Sequence, residues 1–572
     1  MTRVSRRAFL TTTAGATIVG ILSACQQQAP AAPPAKPTEA AKPIVPPTAA
    51  PAAPKPAEAP AAKPAEPAAT AAPKPAAAAE GAPKRGGTLR IVQTNDFVSM
   101  DPIHASGPTA RACYDSLLAW RPDAKGLYQV EPMLAKSWDV SGNKITFKLR
   151  ENVKFHDGSD LNADVVVWNL KRMVQNPKSF AKNFLAAVDA ENPAQAVDPM
   201  TVQVNLKRPS AAVLSSLSDA NGNTPIVSKK AADEKGEEWL KLNPVGTGPF
   251  KFVSFASGDK LEVTRNENYW QQGKDGKALP YVDKITYRVI IEQSTQFNEM
   301  RAGTADILEN IRGRDVPAAK QIGHAAYIES PFRGSKRQYF FNAVKGPFKD
   351  NQKLRQAVHH AVDREAMAKA LGAGLGIALP YEFVPGAIGY DTSVPFYDFN
   401  LDKAKQLFAD SGAKPGIEVR LTAHNREVDQ QQAQLLQAML DKIGVKVNLD
   451  IVERVAWGEK VRIQNDFEMA SRLSGVAVDP TDDLLVTWAE GGNSAYHRAK
   501  VPGLLDTLNK ADGEYDNTKR QQLFVDAQKL MHESAWFGYM WFENGNFLVH
   551  KRIKGFPAPW GSYREWEWWI EE

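Results

Sequence analysis

Residues 135–174, AKSWDVSGNKITFKLRENVKFHDGSDLNADVVVWNLKRMV, compress a strand, a turn and the start of a helix into one short stretch, and any fold for this chain must house that unit. Ile145, Phe147 and Leu149 alternate with Thr146, Lys148 and Arg150, the period of a strand with one buried face. His156-Asp157-Gly158 is turn chemistry, because Asp bonds its own backbone and Gly accepts positive φ. Asn162 is placed to cap the following helix, with Asp164 in the first turn where a negative charge suits the helix dipole. Val166, Leu170, Met173 and Val174 then fall on one face.

The chain around this unit has 572 residues, enough for two or three domains and a large core. A net charge of +5 is small for that length and gives no basis for nucleic-acid binding. Two cysteines, Cys25 and Cys113, are present, so no intrachain disulfide forms if Cys25 is used for something else. No Ser/His/Asp set, HExxH, CxxC or nucleotide-binding motif occurs, and no cofactor or metal is called for. Catalytic groups need only meet in space, so an enzyme is not excluded by motif alone. His359-His360 do not chelate together, since adjacent helix residues diverge by about 100°.

The first residues read as an address. Arg6-Arg7 precede the apolar segment Ala14–Leu22, which is too short to span a bilayer. This is the layout of a bacterial export signal, twin-arginine-like through its Arg pair, with the general route as the alternative. Leu22-Ser23-Ala24-Cys25 resembles a lipobox, in which Cys25 becomes the lipidated N-terminus. The alternative is an ordinary cleaved signal with an incidental Cys. From Gln26 to Lys84 the chain is almost wholly Ala and Pro and has too few large apolar residues to fold. As polyproline II, at about 3.1 Å per residue, such a tether reaches at most on the order of 170 Å.

The globular part begins with a strand at Arg85–Ile91. Strands are also expected at Thr201–Leu206, Phe250–Phe255, Val282–Ile290 and Val445–Ile451, with Val445, Val447, Leu449 and Ile451 alternating. A helical pattern is expected from Cys113 to Leu118. Leu354, Val358, Ala361 and Val362 mark the buried face of another helix. Asn400 caps a short helix stopped at Gly412, and the helix through Leu435, Leu436, Met439, Leu440 and Ile443 ends at Gly444. Asn243–Phe250 has the glycines of a phosphate loop but leads into a strand, and phosphate binding needs a helix N-terminus there. Alternation of strands and helices gives a mixed α/β fold.

Several of these stretches closely resemble the family 5 extracellular solute-binding proteins, the peptide-, opine- and nickel-type receptors of bacterial ABC importers. The match runs through Ser137-Trp138, Thr146–Arg150, Val153–Gly158 and Ala163-Asp164, with Val165 where the family usually has a second acid. It continues in Gly86–Leu89, Gly246–Phe250, Asn266–Trp270 and Leu354–Arg364. The resemblance covers roughly Gly86 to Trp560. It implies a two-lobed, type II periplasmic-binding-protein-like α/β fold whose lobes are joined by two chain crossings and close on a ligand by hinge motion. The implied division is a signal at 1–25, a tether at 26–84, a first lobe at 85–335 with an accessory segment at about 136–235, a second lobe at 336–538, and a return to the first lobe at 539–572. It also implies a monomeric receptor outside the cytoplasm, in the periplasm or on the outer face of the membrane, held by lipid alone. Its permease and ATPase subunits lie on other chains.

The ligand is read from the region near Leu473–Trp488. In peptide-binding branches of the family a Trp and an Asp precede the Pro aligned with Pro480, and the Asp grips the peptide amine. Here Leu473 and Val476 stand at those positions, and Gln430-Gln431-Gln432 replace an Arg that holds the carboxylate in the dipeptide branch, with Arg426 slightly earlier. A buried charge left unpaired costs several kcal/mol, so a pocket lacking both anchors should not prefer a zwitterion. Three readings follow. A peptide or amine receptor would use Asp479 or Asp482 as the replacement anchor. A receptor for oligosaccharides or another neutral solute would stack it on Trp457, Trp488 or Tyr496. The third is an anchored hydrolase on the same scaffold. Asn95, after the first strand, and Tyr114 complete the candidate ligand contacts.

Overall fold

The computed structural model describes residues 82–94, 96, 99–104, 112–123, 128–220, 222–477, 479–489, 495–556 and 564–571. The export signal, Cys25, nearly all of the Ala/Pro tether and Asn95 lie outside the described residues.

Ten strands form the spine of the molecule: β1 (Thr88–Gln93), β2 (Phe250–Ala256), β3 (Lys260–Arg265), β4 (Lys284–Val289), β5 (Ile307–Glu309), β6 (Ala325–Phe341), β7 (Ile417–His424), β8 (Val445–Val452), β9 (Met469–Gly475) and β10 (Phe537–His550). They lie in one sheet in the order β8-β7-β9-β6-β10-β5-β1-β4-β3-β2, with the short strand Gly376–Ala378 beside β10. The sheet has two halves. In one, β1 runs parallel to β4 and β5; in the other, β7 runs parallel to β8 and β9. Only β6 and β10 belong to both.

These two long strands are the crossings between the lobes. Ala325–Ser330 pairs with His550–Gly545, and Ser335–Phe340 pairs with Glu543–Phe537. Between the two ladders β6 advances from Ser330 to Ser335 while β10 advances only from Gly545 to Glu543. Such a break releases backbone pairing and lets the strands bend. Gly334 is required there, because a Cβ would sit 2.2 Å from the Glu543 carbonyl oxygen.

The first lobe closes its core around Leu89, Ile91, Leu261, Val263, Ile285 and Tyr287, sealed by Trp566, Trp568 and Trp569 from the chain end. The second packs helices α2 (Gln352–Ala361) and α3 (Glu427–Asp441) on Phe340, Leu421 and Val445. Gly412 and Gly444 follow their helices at φ of 71° and 87°, the left-handed stops read from the sequence.

The unit at 135–174 has a sheet of its own. Ala135–Ser141, Lys144–Leu149, Thr201–Asn205 and Ala194–Asp198 are neighbours in that order. Ile145, Phe147 and Leu149 are fully buried under helix α1 (Ala163–Gln175), whose Val166 and Leu170 share the same core. Asn162 caps that helix through Oδ1, which accepts from Val165 N at 3.0 Å.

One expectation fails. Cys113–Leu117 forms no helix, and Leu118–Pro122 is a strand paired with Tyr128–Pro132. The cause is tertiary. Gly248 N donates to the Cys113 carbonyl at 3.1 Å, and a Cβ on Gly248 would lie 2.4 Å from the Cys113 carbonyl carbon. This close backbone docking holds Cys113 in place against the helical pattern of its neighbours.

Candidate functional site

Strand direction locates the site. β5 ends at Glu309, opposite Phe547, on the part of β10 that has just arrived from the second lobe. β9 ends at Gly475, opposite Ser335, where β6 has just arrived from the first lobe. The strands running parallel with them end likewise, β1 and β4 at Gln93 and Val289, β7 and β8 at His424 and Val452. Both sets of carboxyl ends therefore face the register break between Ser330 and Ser335. Ligands of open α/β sheets bind outside strand carboxyl ends, so two such edges opposed across a hinge define a cleft. On the second-lobe side, α3 begins just after β7, and α4 (Pro480–Trp488) just after β9.

Charges are concentrated on this edge. Alternation along β6 sends Lys336 and Gln338 to one face and Arg337 to the other. Arg337 donates to Asp429 Oδ1 at 2.8 Å, and Arg426 donates to Asp429 Oδ2 at 2.6 Å. Glu543 lies 3.6 Å from the Arg337 guanidinium, which also sits 5.3 Å from the centre of the Trp541 ring. Asp429 is buried, whereas the Arg426 side chain is 53% exposed. Burial outweighs the flanking acids at Arg337 and lowers its pKa.

On the opposite face Lys336 donates to Glu382 and lies 3.3 Å from Asp483. Burial works against the Lys336 charge, but Glu382 and Asp483 more than offset it, so its pKa is raised. Burial likewise opposes ionisation of Asp483, and Lys336 and Arg472 overcome it, so that carboxyl is held below its usual range. Arg472 completes the set by donating to Gln338 Oε1 at 2.8 Å. Lys336, Glu382, Val384, Val476, Pro480 and Asp483 line a small recess. Counted with Arg472, the cluster around the recess has two cations and two carboxylates that neutralise one another, and Val476 adds an apolar wall.

The sequence-predicted residues are distributed as follows. Asp479 is 1% exposed and caps α4, its carboxylate clasped by Arg520 at 2.6 and 2.7 Å and accepting from Thr481 N at 2.9 Å. Asp482 lies in α4, and its side chain is outside the described residues. Trp488, at the other end of α4, is buried edge-on against His497 with ring centres 4.6 Å apart. Trp457 stacks on His424 at 4.8 Å and meets Tyr496 edge-on at 5.5 Å. The structure therefore brings Trp457 and Tyr496 together beside the end of β7. Tyr114 is 2% exposed in the first-lobe core, where its hydroxyl donates to the Met100 carbonyl at 3.2 Å. His359 and His360 make separate bonds, His359 with the Tyr339 hydroxyl at 2.7 Å and the Ala535 carbonyl at 2.9 Å, and His360 with the Asp398 carbonyl at 2.8 Å. Among the described residues, no three His, Cys, Asp or Glu side chains are grouped to hold a metal ion.

Sequence reasoning missed Lys336, Arg337, Glu382, Arg472 and Glu543. A signal was present: Lys336-Arg337-Gln338 directly precedes the apolar Tyr339-Phe340-Phe341, and charges inside a central strand need partners.

Residues 129–496 match the model of the bacterial extracellular solute-binding proteins, family 5. The chain is 30% identical to the glutathione-binding protein GsiB of Pectobacterium atrosepticum over 468 residues, covering 78% of this chain and 87% of that protein. The chain belongs to the family 5 solute-binding proteins. Among solved structures, HbpA2 from Haemophilus parasuis superposes with a TM-score of 0.76 at 24% identity, covering 85% of this chain and 100% of that one. The binding protein DppA from Helicobacter pylori, in complex with the peptide STSA, superposes with a TM-score of 0.69 at 25% identity, covering 86% and 99%.

As a family 5 protein the chain has the two-lobed type II fold, and β6 and β10 are its two crossings. Family 5 proteins are extracytoplasmic substrate-binding components that work with ABC permeases and are not enzymes. None of the helices among the described residues is long and apolar enough to cross a membrane.

Proposed function

We propose that this family 5 protein captures a short peptide or a related solute between its lobes and delivers it to the permease of an ABC importer. The observation that carries this reading is the opposition of strand carboxyl ends across the hinge, with accessible charge of both signs at Arg426 and Glu543. A solute with one charged group of each sign has partners there. The relatives support it: one is named for glutathione and another was solved with a peptide. Arg426 takes the carboxylate end in this reading, Glu543 the amine end, and Asp479 shapes the loop that frames the recess. Asn95 and Asp482 stand as further contacts, and Trp457 and Tyr496 as the aromatic wall.

The moving bodies are residues 85–335 with 539–572, including the accessory segment at about 136–235, against residues 336–538. A twin-arginine-like signal exports the monomeric chain, Cys25 carries the lipid, and the Ala/Pro tether spaces the receptor from the membrane. The permease and ATPase subunits are separate chains.

A specific observation favours a second reading, a neutral solute. The Lys336–Glu382–Asp483–Arg472 cluster has no net charge to offer, and Val476 stands where peptide-type receptors place an acid. Calorimetric titration with dipeptides, tripeptides and neutral oligosaccharides separates the two. The peptide reading requires saturable binding of peptides without turnover, and binding of neutral oligosaccharides alone overturns it.

A further inference from the structure

Away from the hinge the lobes meet a second time, through a contact that the solute site does not use. The segment Lys207–Ala211 leaves the accessory strand Thr201–Asn205 and reaches the end of the second-lobe helix Leu504–Gly513. There Asp512, 1% exposed, accepts from Arg208 and from the Ser210 hydroxyl, the latter at 2.7 Å. Its backbone carbonyl accepts from Ala211 N at 2.6 Å. Ser210 N donates to the Tyr515 hydroxyl at 3.1 Å, and the Tyr515 ring packs on the accessory core.

Both side-chain partners of Asp512 come from the other lobe. A carboxylate buried for the sake of its own lobe's stability would be bonded within that lobe, because an unpaired buried charge is costly. When the lobes part, water replaces Arg208 and Ser210 and the charge is solvated again. The contact is thus built to form and break with lobe motion. Arg208 remains 40% exposed, which keeps the pair modest in strength, as a reversible contact requires.

The contact is also wired to the recess. Arg520 donates to the Ala511 carbonyl at 2.9 Å, one residue before Asp512, while its guanidinium clasps Asp479. Ser215, on the accessory side, lies 3.4 Å from the second Asp479 oxygen. Asp479 follows the loop that carries Val476 and Ala477 into the recess wall.

We propose that Arg208, Ser210, Asp512 and Tyr515 form a closure latch between the accessory segment and the second lobe, which stabilises the closed form and thereby raises solute affinity. This rests on the reading that the lobes close on a solute. A latch absent from the open form shifts the open–closed equilibrium by its differential contribution to the two states, and apparent affinity scales with the closed fraction.

The test uses spin labels at the exposed positions Lys144→Cys and Lys442→Cys in the full chain without solute. Pulsed dipolar spectroscopy then compares the parent with the Arg208→Ala/Ser210→Ala variant. The latch requires a larger long-distance population in the variant, with weakening of affinity by roughly tenfold, in proportion to the closed fraction lost. Arg208→Lys should restore part of the short-distance population. An unchanged distance distribution in the double variant, with its unfolding transition intact, overturns the latch. If the parent's distances also fail to respond to any peptide or oligosaccharide, the capture reading falls instead. The two failures are therefore distinguishable.

Discussion

Asp479 and Arg520 form a two-pronged pair, at 2.6 and 2.7 Å, that joins the N-terminus of α4 to the helix Asn517–Ser534 deep inside the second lobe. The sequence offers Asp479 as a replacement anchor for a peptide amine. The pair makes it an internal strut. Burial alone would push its carboxyl up, but the Arg520 charge and the bonds from Arg520 and Thr481 prevail and lower its pKa.

Breaking one side of this strut leaves a buried charge without its partner. Arg520→Met should therefore cost about 3–5 kcal/mol of stability, measured by denaturant unfolding at neutral pH. The folded pKa of Asp479 lies below its unfolded value, so the pair's contribution is present above the ordinary carboxylate range and is lost as pH falls through the folded value. A loss under about 1 kcal/mol would mean the pair behaves as a surface ion pair.

Histidines give the protein a second pH dependence. Burial lowers His156 to about 4 and His497 to about 3, from 6.5. Unfolding lets both take up protons, so their contribution is complete above pH 6.5 and is lost as pH falls toward the folded values. Asp115 acts the other way: burial raises it from 3.8 to about 6, so below pH 6 the folded state holds the extra proton. Burial lowers His359 and His532 as well, so the balance is a loss of stability between pH 7 and pH 5, measurable by urea unfolding across that range. His497→Asn should flatten the profile.

Gly248 docks on the backbone of Cys113, where an added Cβ would meet the Cys113 carbonyl carbon at 2.4 Å and Tyr114 N at 2.5 Å. Neither is a side-chain tip that can turn aside. Gly248→Ala should cost about 1–3 kcal/mol or more, read as a fall in the thermal midpoint.

Arg426 is half-exposed and shares Asp429 with Arg337. Arg426→Ala should change stability by less than about 1 kcal/mol. It should weaken binding of peptides with a free carboxylate by roughly tenfold, corresponding to about 1.4 kcal/mol, and leave C-terminally amidated peptides unaffected. Calorimetry with the matched peptide pair provides the check, and equal losses for both forms would remove Arg426 from the carboxylate role.

Cys25→Ser should release the protein from membranes, since an acyl anchor contributes about 0.8 kcal/mol per buried methylene. Fractionation of cells producing the parent and the variant tests this directly. A variant that stays in the membrane fraction rules out anchoring through Cys25.

Local chemistry was legible wherever neighbours in sequence decide the outcome. Asn162 and Asn400 cap their helices, Gly412 and Gly444 stop theirs, and Ile145, Phe147 and Leu149 bury one strand face, because caps, stops and alternation act within a few residues. The stretch 135–174 thus specified its own strand and capped helix and carried the family resemblance. Tertiary structure decided the rest. Cys113 lost its helical pattern to the glycines at 246 and 248, and Asp479 was taken up by Arg520. Lys336, Glu382 and Asp483 became one cluster only when β6, a loop and α4 converged. A charge's role depends on its partner and on its access to water, and both are set by residues far away in the chain.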